Sequence, residues 1–300
     1  MSIASEITRL QNAKADIKTA IEAKGVTVPS SAKLDDYDTY VSQISGGGGT
    51  DDSFKKLLNR TITASDINWS NVTNIGDYGF YGCDNITSIT IPNTLVSVAA
   101  SPIGSHAFEN CFNLTSITFP NTYLNGFGDT QTLTSIPVGV CRYCSSLTSV
   151  TFPSGLTTIN DYAFDTAFAA NTSLTIPNTV TTIRNNAFVN SKLVSVTIPS
   201  SVTTIGSYAF ENSKLTSLVI PDTVTRIDSG MIQDCKNLTT VTIGSRVSRI
   251  PSYFVYGCTS LSTINYTGTM SQWNALSKSS SWKTNVPATV VHCSDGDVTL

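Results

Sequence analysis

Charge is scarce in this chain: 13% of its 300 residues are Asp, Glu, Lys or Arg, and the formal net charge is −3. With Lys and Arg scattered rather than clustered, that balance excludes nucleic acid or an anionic membrane surface as an electrostatic partner. No apolar run approaches the length of a membrane-spanning helix, so membrane insertion is not expected. Histidine is nearly absent. His106 and His292 are the only two, and their separation leaves no pair at metal-ligand spacing. Gly-x-Ser-x-Gly, a phosphate loop and His-Glu-x-x-His are all missing. The expectation is therefore a protein without enzymatic activity, cofactor or metal. Asp295-Gly296-Asp297 reads as a turn rather than a calcium loop. The first ten residues, MSIASEITRL, lack the basic start and unbroken apolar stretch of a secretory signal.

What fills the chain instead is repetition. An Ile or Phe followed by Pro occurs at Ile91-Pro92, Phe119-Pro120, Phe152-Pro153, Ile176-Pro177, Ile198-Pro199 and Ile220-Pro221. A Phe recurs at Phe80, Phe108, Phe164, Phe188 and Phe210, with Cys141, Ile232 and Val255 in the same slot elsewhere. The Ile five residues earlier follows suit at Ile75, Ile103, Ile136, Ile159, Ile183, Ile205, Ile227 and Ile250. These eight units predict a solenoid, because one unit cannot bury its apolar face alone. Stretches such as Leu215-Thr216-Ser217-Leu218-Val219-Ile220 alternate and are β-branched, which suits a short strand pairing with its copies. Pro then ends the ladder where the coil must turn. At about 4.8 Å per coil, eight coils make a rod roughly 35 Å long.

Seven cysteines could announce disulfides, but Cys83, Cys111, Cys144, Cys235 and Cys258 each lie three residues after the Phe slot, where Ser191 and Ser213 also occur. That placement predicts a column of small buried side chains rather than bridges or ligands. The CxxC spacing of Cys141 and Cys144 falls on repeat positions as well.

The repeats resemble the leucine-rich repeats of the BspA-like family, which occurs in bacterial surface antigens and phage proteins. The resemblance extends to the ending, which carries Tyr266-Thr267-Gly268, Gln272-Trp273, Trp282 and His292-Cys293-Ser294-Asp295. It implies a C-terminal cap, which the last coil's stacking face and strand edge also require. The expected fold is α+β: a β-rich leucine-rich-repeat solenoid of about eight coils, preceded by a short N-terminal helical hairpin or coiled coil. The divisions read as an anchor over residues 1–44, a Gly-rich linker over 45–53, an N-terminal cap over 54–71, repeats over 72–258 and a C-terminal cap over 259–300.

In the anchor, Ile3, Ile7, Leu10, Lys14, Ile17 and Ile21 alternate by four and three, a heptad seam with one Lys. Ile at both seam positions leans toward a homotrimer, while a folded-back hairpin is the other solution. Residues 6–29, with Lys33-Leu34-Asp35-Asp36-Tyr37 after them, resemble the N-terminal segment of structural and fibre-like phage proteins. That implies attachment to a virion component.

Binding is expected from irregularities. Pro92 to Ile103 carries five extra residues and Pro120 to Ile136 ten, and residues 167–172 also break the pattern; insertions in a solenoid leave one edge, often the binding edge. The longer insert offers Tyr123, Asn125, Phe127 and Asp129 for a host-surface glycan or protein. The uniform outward row Thr90, Thr118, Thr151, Thr175 and Thr197 suits sheet packing instead, and Tyr78, Tyr162, Tyr208 and Tyr253 recur at one repeat position as a second aromatic row that Asn186 and Gly230 break. The reading is a phage virion structural or fibre protein. A bacterial cell-surface adhesin, a virion decoration without host binding and an intracellular scaffold are the alternatives.

Overall fold

The structure, a computed structural model, describes residues 60–97 and 101–300. The anchor residues Ile3, Ile7, Leu10, Ile17 and Ile21, the linker and the heptad seam lie outside the described residues. The chain divides into two units, Met1–Ile62 and Thr63–Leu300, and the second unit is the solenoid.

Its strands run, in chain order, β1 (Ser88–Thr90), β2 (Val96–Ser97), β3 (Ser116–Thr118), β4 (Thr122–Asn125), β5 (Thr130–Thr132), β6 (Ser135–Ile136), β7 (Ser149–Thr151), β8 (Thr158–Ile159), β9 (Ser173–Thr175) and β10 (Thr182–Ile183). There follow β11 (Ser195–Thr197), β12 (Thr204–Ile205), β13 (Ser217–Ile220), β14 (Arg226–Ile227), β15 (Thr240–Ile243), β16 (Arg249–Ile250), β17 (Thr263–Tyr266), β18 (Ser277–Lys278), β19 (Val290–Cys293) and β20 (Gly296–Thr299), with helix α1 (Met270–Ala275) before β18.

Each coil has three sides. The strand after the Phe slot builds the first: β1-β3-β7, β9-β11 and β13-β15-β17-β19-β20 form its sheets, parallel and in register up to the closing antiparallel β20. The strand before the slot builds the second, as β6-β8-β10-β12-β14 and β16-β18. The third is a turn around the Phe slot that still bonds from coil to coil: Phe80, Phe108, Phe164, Phe188 and Phe210 donate their amides to Ala107, Val140, Ala187, Ala209 and Met231.

Inside this triangle, Phe108, Phe164, Phe188 and Phe210 are fully buried. Phe80 stacks on Phe108 at 5.3 Å, Phe164 on Phe188 at 5.5 Å and Phe188 on Phe210 at 5.2 Å, all nearly parallel. Identical rings at one coil spacing fall into register, so each adds stacking to its roughly 1.5–3 kcal/mol of burial. Where Cys141, Ile232 and Val255 replace Phe, the slot stays fully buried.

The cysteine column is buried and unbridged. The thiols of Cys111, Cys144, Cys235 and Cys258 donate to the carbonyls of Phe80, Phe108, Phe210 and Ile232, one coil earlier, at 3.0–3.1 Å. A thiol is small enough for the core and long enough to reach that carbonyl. Burial also pushes the Cys235 thiol up to about 11 and raises Cys111, Cys144 and Cys258 further; such groups stay protonated and inert at neutral pH.

Threonine takes the part that charge plays elsewhere. Thr157, Thr181, Thr203 and Thr225 donate their hydroxyls to the carbonyls of Thr134, Thr157, Thr181 and Thr203 at 3.0–3.5 Å. On the first side Thr115 and Thr148 do the same to Thr87 and Thr115. These bonds tie coil to coil without a charged group.

The turn side explains the Tyr row. Tyr78, His106, Tyr162, Asn186, Tyr208 and Tyr253 have φ of 56–59°, and Gly139 and Gly230 share the slot at 59° and 65°. The conformation is left-handed, which favours Gly and Asn. Each side chain leans over the next coil: a Cβ on Gly230 would lie 2.3 Å from the Tyr208 ring, and one on Gly139 2.2 Å from His106. Tyr78 stacks on His106 at 4.9 Å, but Gly139 and Gly230 interrupt the slot and Asn186 stands between Tyr162 and Tyr208, so no continuous aromatic row forms.

The C-terminal segment behaves as a reduced ninth coil. β18 pairs with β16 and β19 with β17, while the amides of Val255 and Gly257 donate to Trp282 and Thr284, so all three sides of the last coil find partners. Trp273, on α1, is buried between Tyr266 at 5.3 Å and Trp282 at 5.9 Å. Thr269 and Gln272 form a reciprocal capping box at the start of α1. Asp295 and Asp297 sit at a β-hairpin: Asp295 accepts from the Met270 amide at 2.7 Å, and Asp297 lies 2.9 Å from His292 Nδ1.

The thiols give a direct check. Iodoacetamide at pH 8 should modify Cys293, the one cysteine not fully buried, and leave the other six intact until guanidinium is added; peptide mass spectrometry reads this. Modification of Cys111 or Cys235 at a comparable rate in the native chain would rule out the buried column.

Candidate functional site

The two insertions pair with each other. β2, in the shorter one, runs parallel to β4 with Val96 opposite Leu124, and β4 turns back on β5 to give a three-stranded sheet, β2-β4-β5, beside the coils. The signal was the run Thr122-Tyr123-Leu124-Asn125, whose alternation resembles a strand, but its partner was not visible in one sequence.

At the base of the hairpin, Tyr123 is 7% exposed, which corrects its expected role: the ring belongs to the packing and is not offered to a ligand. The reason is positional, since Tyr123 lies three residues after Pro120, where Leu95 and Leu156 point inward in other coils. Gly155 then leaves room for β5, because a Cβ there would lie 2.3 Å from the Thr132 methyl.

The turn is built by Asn125. Its Oδ1 accepts from the amides of Phe127 and Asp129, each at 2.9 Å, and its Nδ2 donates to Asp129 Oδ2 at 3.1 Å. Asn125 and Asp129 therefore hold the loop's shape, and Gly128 takes φ +87° where a side chain would strain it. Phe127 stands at the tip and is 91% exposed, the most exposed large apolar side chain among the described residues. Of the four residues expected to bind, one is buried, two set the loop and one is presented.

The third irregularity turns inward. Phe168 is fully buried and packs on Phe164 at 5.5 Å and Phe188 at 6.4 Å, so Ala167, Phe168 and Thr172 fill core while Ala170 and Asn171 stay at the surface. Among the described residues no group of three or more His, Cys, Asp or Glu could hold a metal ion, and no helix is long and apolar enough to cross a membrane.

A three-sided parallel coil with a stacked Phe slot and a strand ending at Pro defines a leucine-rich-repeat protein of solenoid form. The chain belongs to the BspA-type leucine-rich repeat family, whose repeat region matches residues 51–170 and 167–281 in six copies. In fold it is similar to a leucine-rich repeat protein of T. pallidum, 21% identical over 59% of this chain and 68% of that one, with a TM-score of 0.39. It is also similar to one from Bacteroides ovatus, 21% identical over 65% and 58% with a TM-score of 0.36. A leucine rich cell surface protein from Faecalibacterium prausnitzii is 23% identical over 69% and 86%, with a TM-score of 0.30. No curated protein matches the sequence.

Asn125→Ala should remove the loop's internal acceptor, at about 1–2 kcal/mol locally, and speed hydrogen exchange at the Phe127 and Asp129 amides while leaving coils 5–8 unchanged. Phe127→Ala should leave both exchange and melting temperature as they are. Equal protection in Asn125→Ala would show that the loop is held by something else.

Proposed function

We propose that this chain is a non-catalytic, adhesion-type repeat protein whose solenoid presents the β4–β5 hairpin to a host-surface glycan or protein. The observation that carries this is the contrast at the tip: Asn125 bonds to the amides of Phe127 and Asp129 and to the Asp129 carboxylate, and the shape so fixed leaves Phe127 91% exposed. A preorganised loop with one protruding aromatic loses little entropy on binding and supplies a hot-spot side chain.

The setting supported by residues 6–29 is a phage virion, with residues 1–44 as the attachment segment, Ile3, Ile7, Leu10, Ile17 and Ile21 as its seam and a homotrimer as its assembled form. Three tethered rods would then combine weak contacts by avidity. The second reading, a bacterial cell-surface adhesin, is supported by the BspA-type repeats themselves, which occur in bacterial surface antigens.

Binding of the full chain to intact host cells, measured by flow cytometry, should fall roughly tenfold or more in Phe127→Ala, equivalent to about 1.4 kcal/mol. Binding equal to that of the unaltered chain would remove the hairpin as the recognition element. Mass spectrometry of purified particles and of cell-envelope fractions separates the two settings: peptides in particles support the virion, and peptides confined to the envelope overturn it.

A further inference from the structure

Asn125-Gly126 is the one Asn-Gly pair in the chain, and it stands where β4 enters the hairpin turn. An Asn carboxamide is open to attack by the main-chain nitrogen that follows it, provided that nitrogen is unhindered and can shed its proton. Gly126 meets both conditions. It is exposed and has no side chain, and its N–H donates to no atom among the described residues. After Asn190 and Asn212 the corresponding nitrogen is engaged instead, since Ser191 and Ser213 are buried and donate their amides to the carbonyls of Phe188 and Phe210. The Asn125 side chain also points forward. Its Oδ1 accepts from the Phe127 and Asp129 amides, each at 2.9 Å, which draws the carboxamide over the turn and toward Gly126. The same two N–H groups stand where negative charge develops on Oδ1 as Cγ becomes tetrahedral.

We propose that Asn125 is a self-modification site, at which the hairpin converts its own Asn-Gly pair to aspartate and isoaspartate. The Gly126 nitrogen bonds to Cγ of Asn125 and the Cγ–Nδ2 bond breaks. The Gly126 amide proton leaves with Nδ2 as ammonia, and a cyclic succinimide remains. One water then opens that ring at either carbonyl, so nothing is oxidised or reduced. The aspartate product still offers an oxygen to both amides, but it sets a second carboxylate against Asp129 Oδ2, where Nδ2 donated at 3.1 Å. The isoaspartate product routes the main chain through the former side chain, which adds a methylene at the turn and takes the acceptor away from the Phe127 and Asp129 amides. The modification stands on this geometry alone; a loss of host-cell binding with it rests on the hairpin reading above, through Phe127.

The test is peptide mass spectrometry of the full chain during incubation at about pH 8. Asn125 should convert ahead of every other Asn among the described residues, faster as pH rises because the Gly126 nitrogen must lose its proton. Gly126→Ala should slow the conversion roughly tenfold or more; Gly126 is not among the glycines with positive φ, so Ala fits its backbone. The isoaspartate form, separated by ion exchange, should exchange its Phe127 and Asp129 amides about tenfold faster than the unmodified chain. Conversion of Asn190 or Asn212 ahead of Asn125, an unchanged rate in Gly126→Ala, or full amide protection in the isoaspartate form would overturn the proposal. Isoaspartate formation together with undiminished cell binding by Phe127→Ala would uphold the modification and remove only the recognition role of the hairpin.

Discussion

Everything in this molecule depends on lateral registration of identical coils. A coil of 22 or so residues has no interior of its own; its Leu, Ile and Phe side chains become core only when the next coil covers them. The Phe188 ring, with Phe164 at 5.5 Å on one side and Phe210 at 5.2 Å on the other, is buried by its own copies. The backbone obeys the same rule, since amides on all three sides find their carbonyls one coil away. Packing and hydrogen bonding thus select the same register, and a slip would break both.

That constraint accounts for the composition. With the interior supplied by repetition, the surface between coils needs small polar groups that bond along the stack, and Thr hydroxyls do so without desolvating a charge. Cys serves the equivalent role inside, reaching a carbonyl that an alkyl side chain would leave with fewer partners. The constraint also separates occupied from presented surface: regular positions are taken by contacts between coils, while the paired inserts hold Phe127 out at 91% exposure.

Much of the fold was legible in the sequence because the inward positions recur in plain view. The Phe slot, the Ile five residues before it and the Cys column are all buried where their spacing put them. The site was less legible. Tyr123 looked like a loop aromatic but sits at an inward position of its coil, which the ten extra residues after it disguised. Residues 167–172 looked like a protrusion, yet Phe168 found room beside Phe164 because the slot in the preceding coil is Cys141 and not a third ring. The Tyr row was visible but not its cause: a left-handed backbone that Tyr, His, Asn and Gly occupy in turn is a property of the turn, and residue identity alone does not report φ.

The most direct measurement is the unfolding free energy of Phe188→Ala, Phe210→Ala and their combination. Stacked coils predict a loss of about 3–5 kcal/mol for each single change and a double change that departs from their sum by 0.5 kcal/mol or more, because each ring forms part of the other's environment. Single losses under about 1 kcal/mol, or strict additivity between these two residues, would contradict the shared interior from which the rest follows.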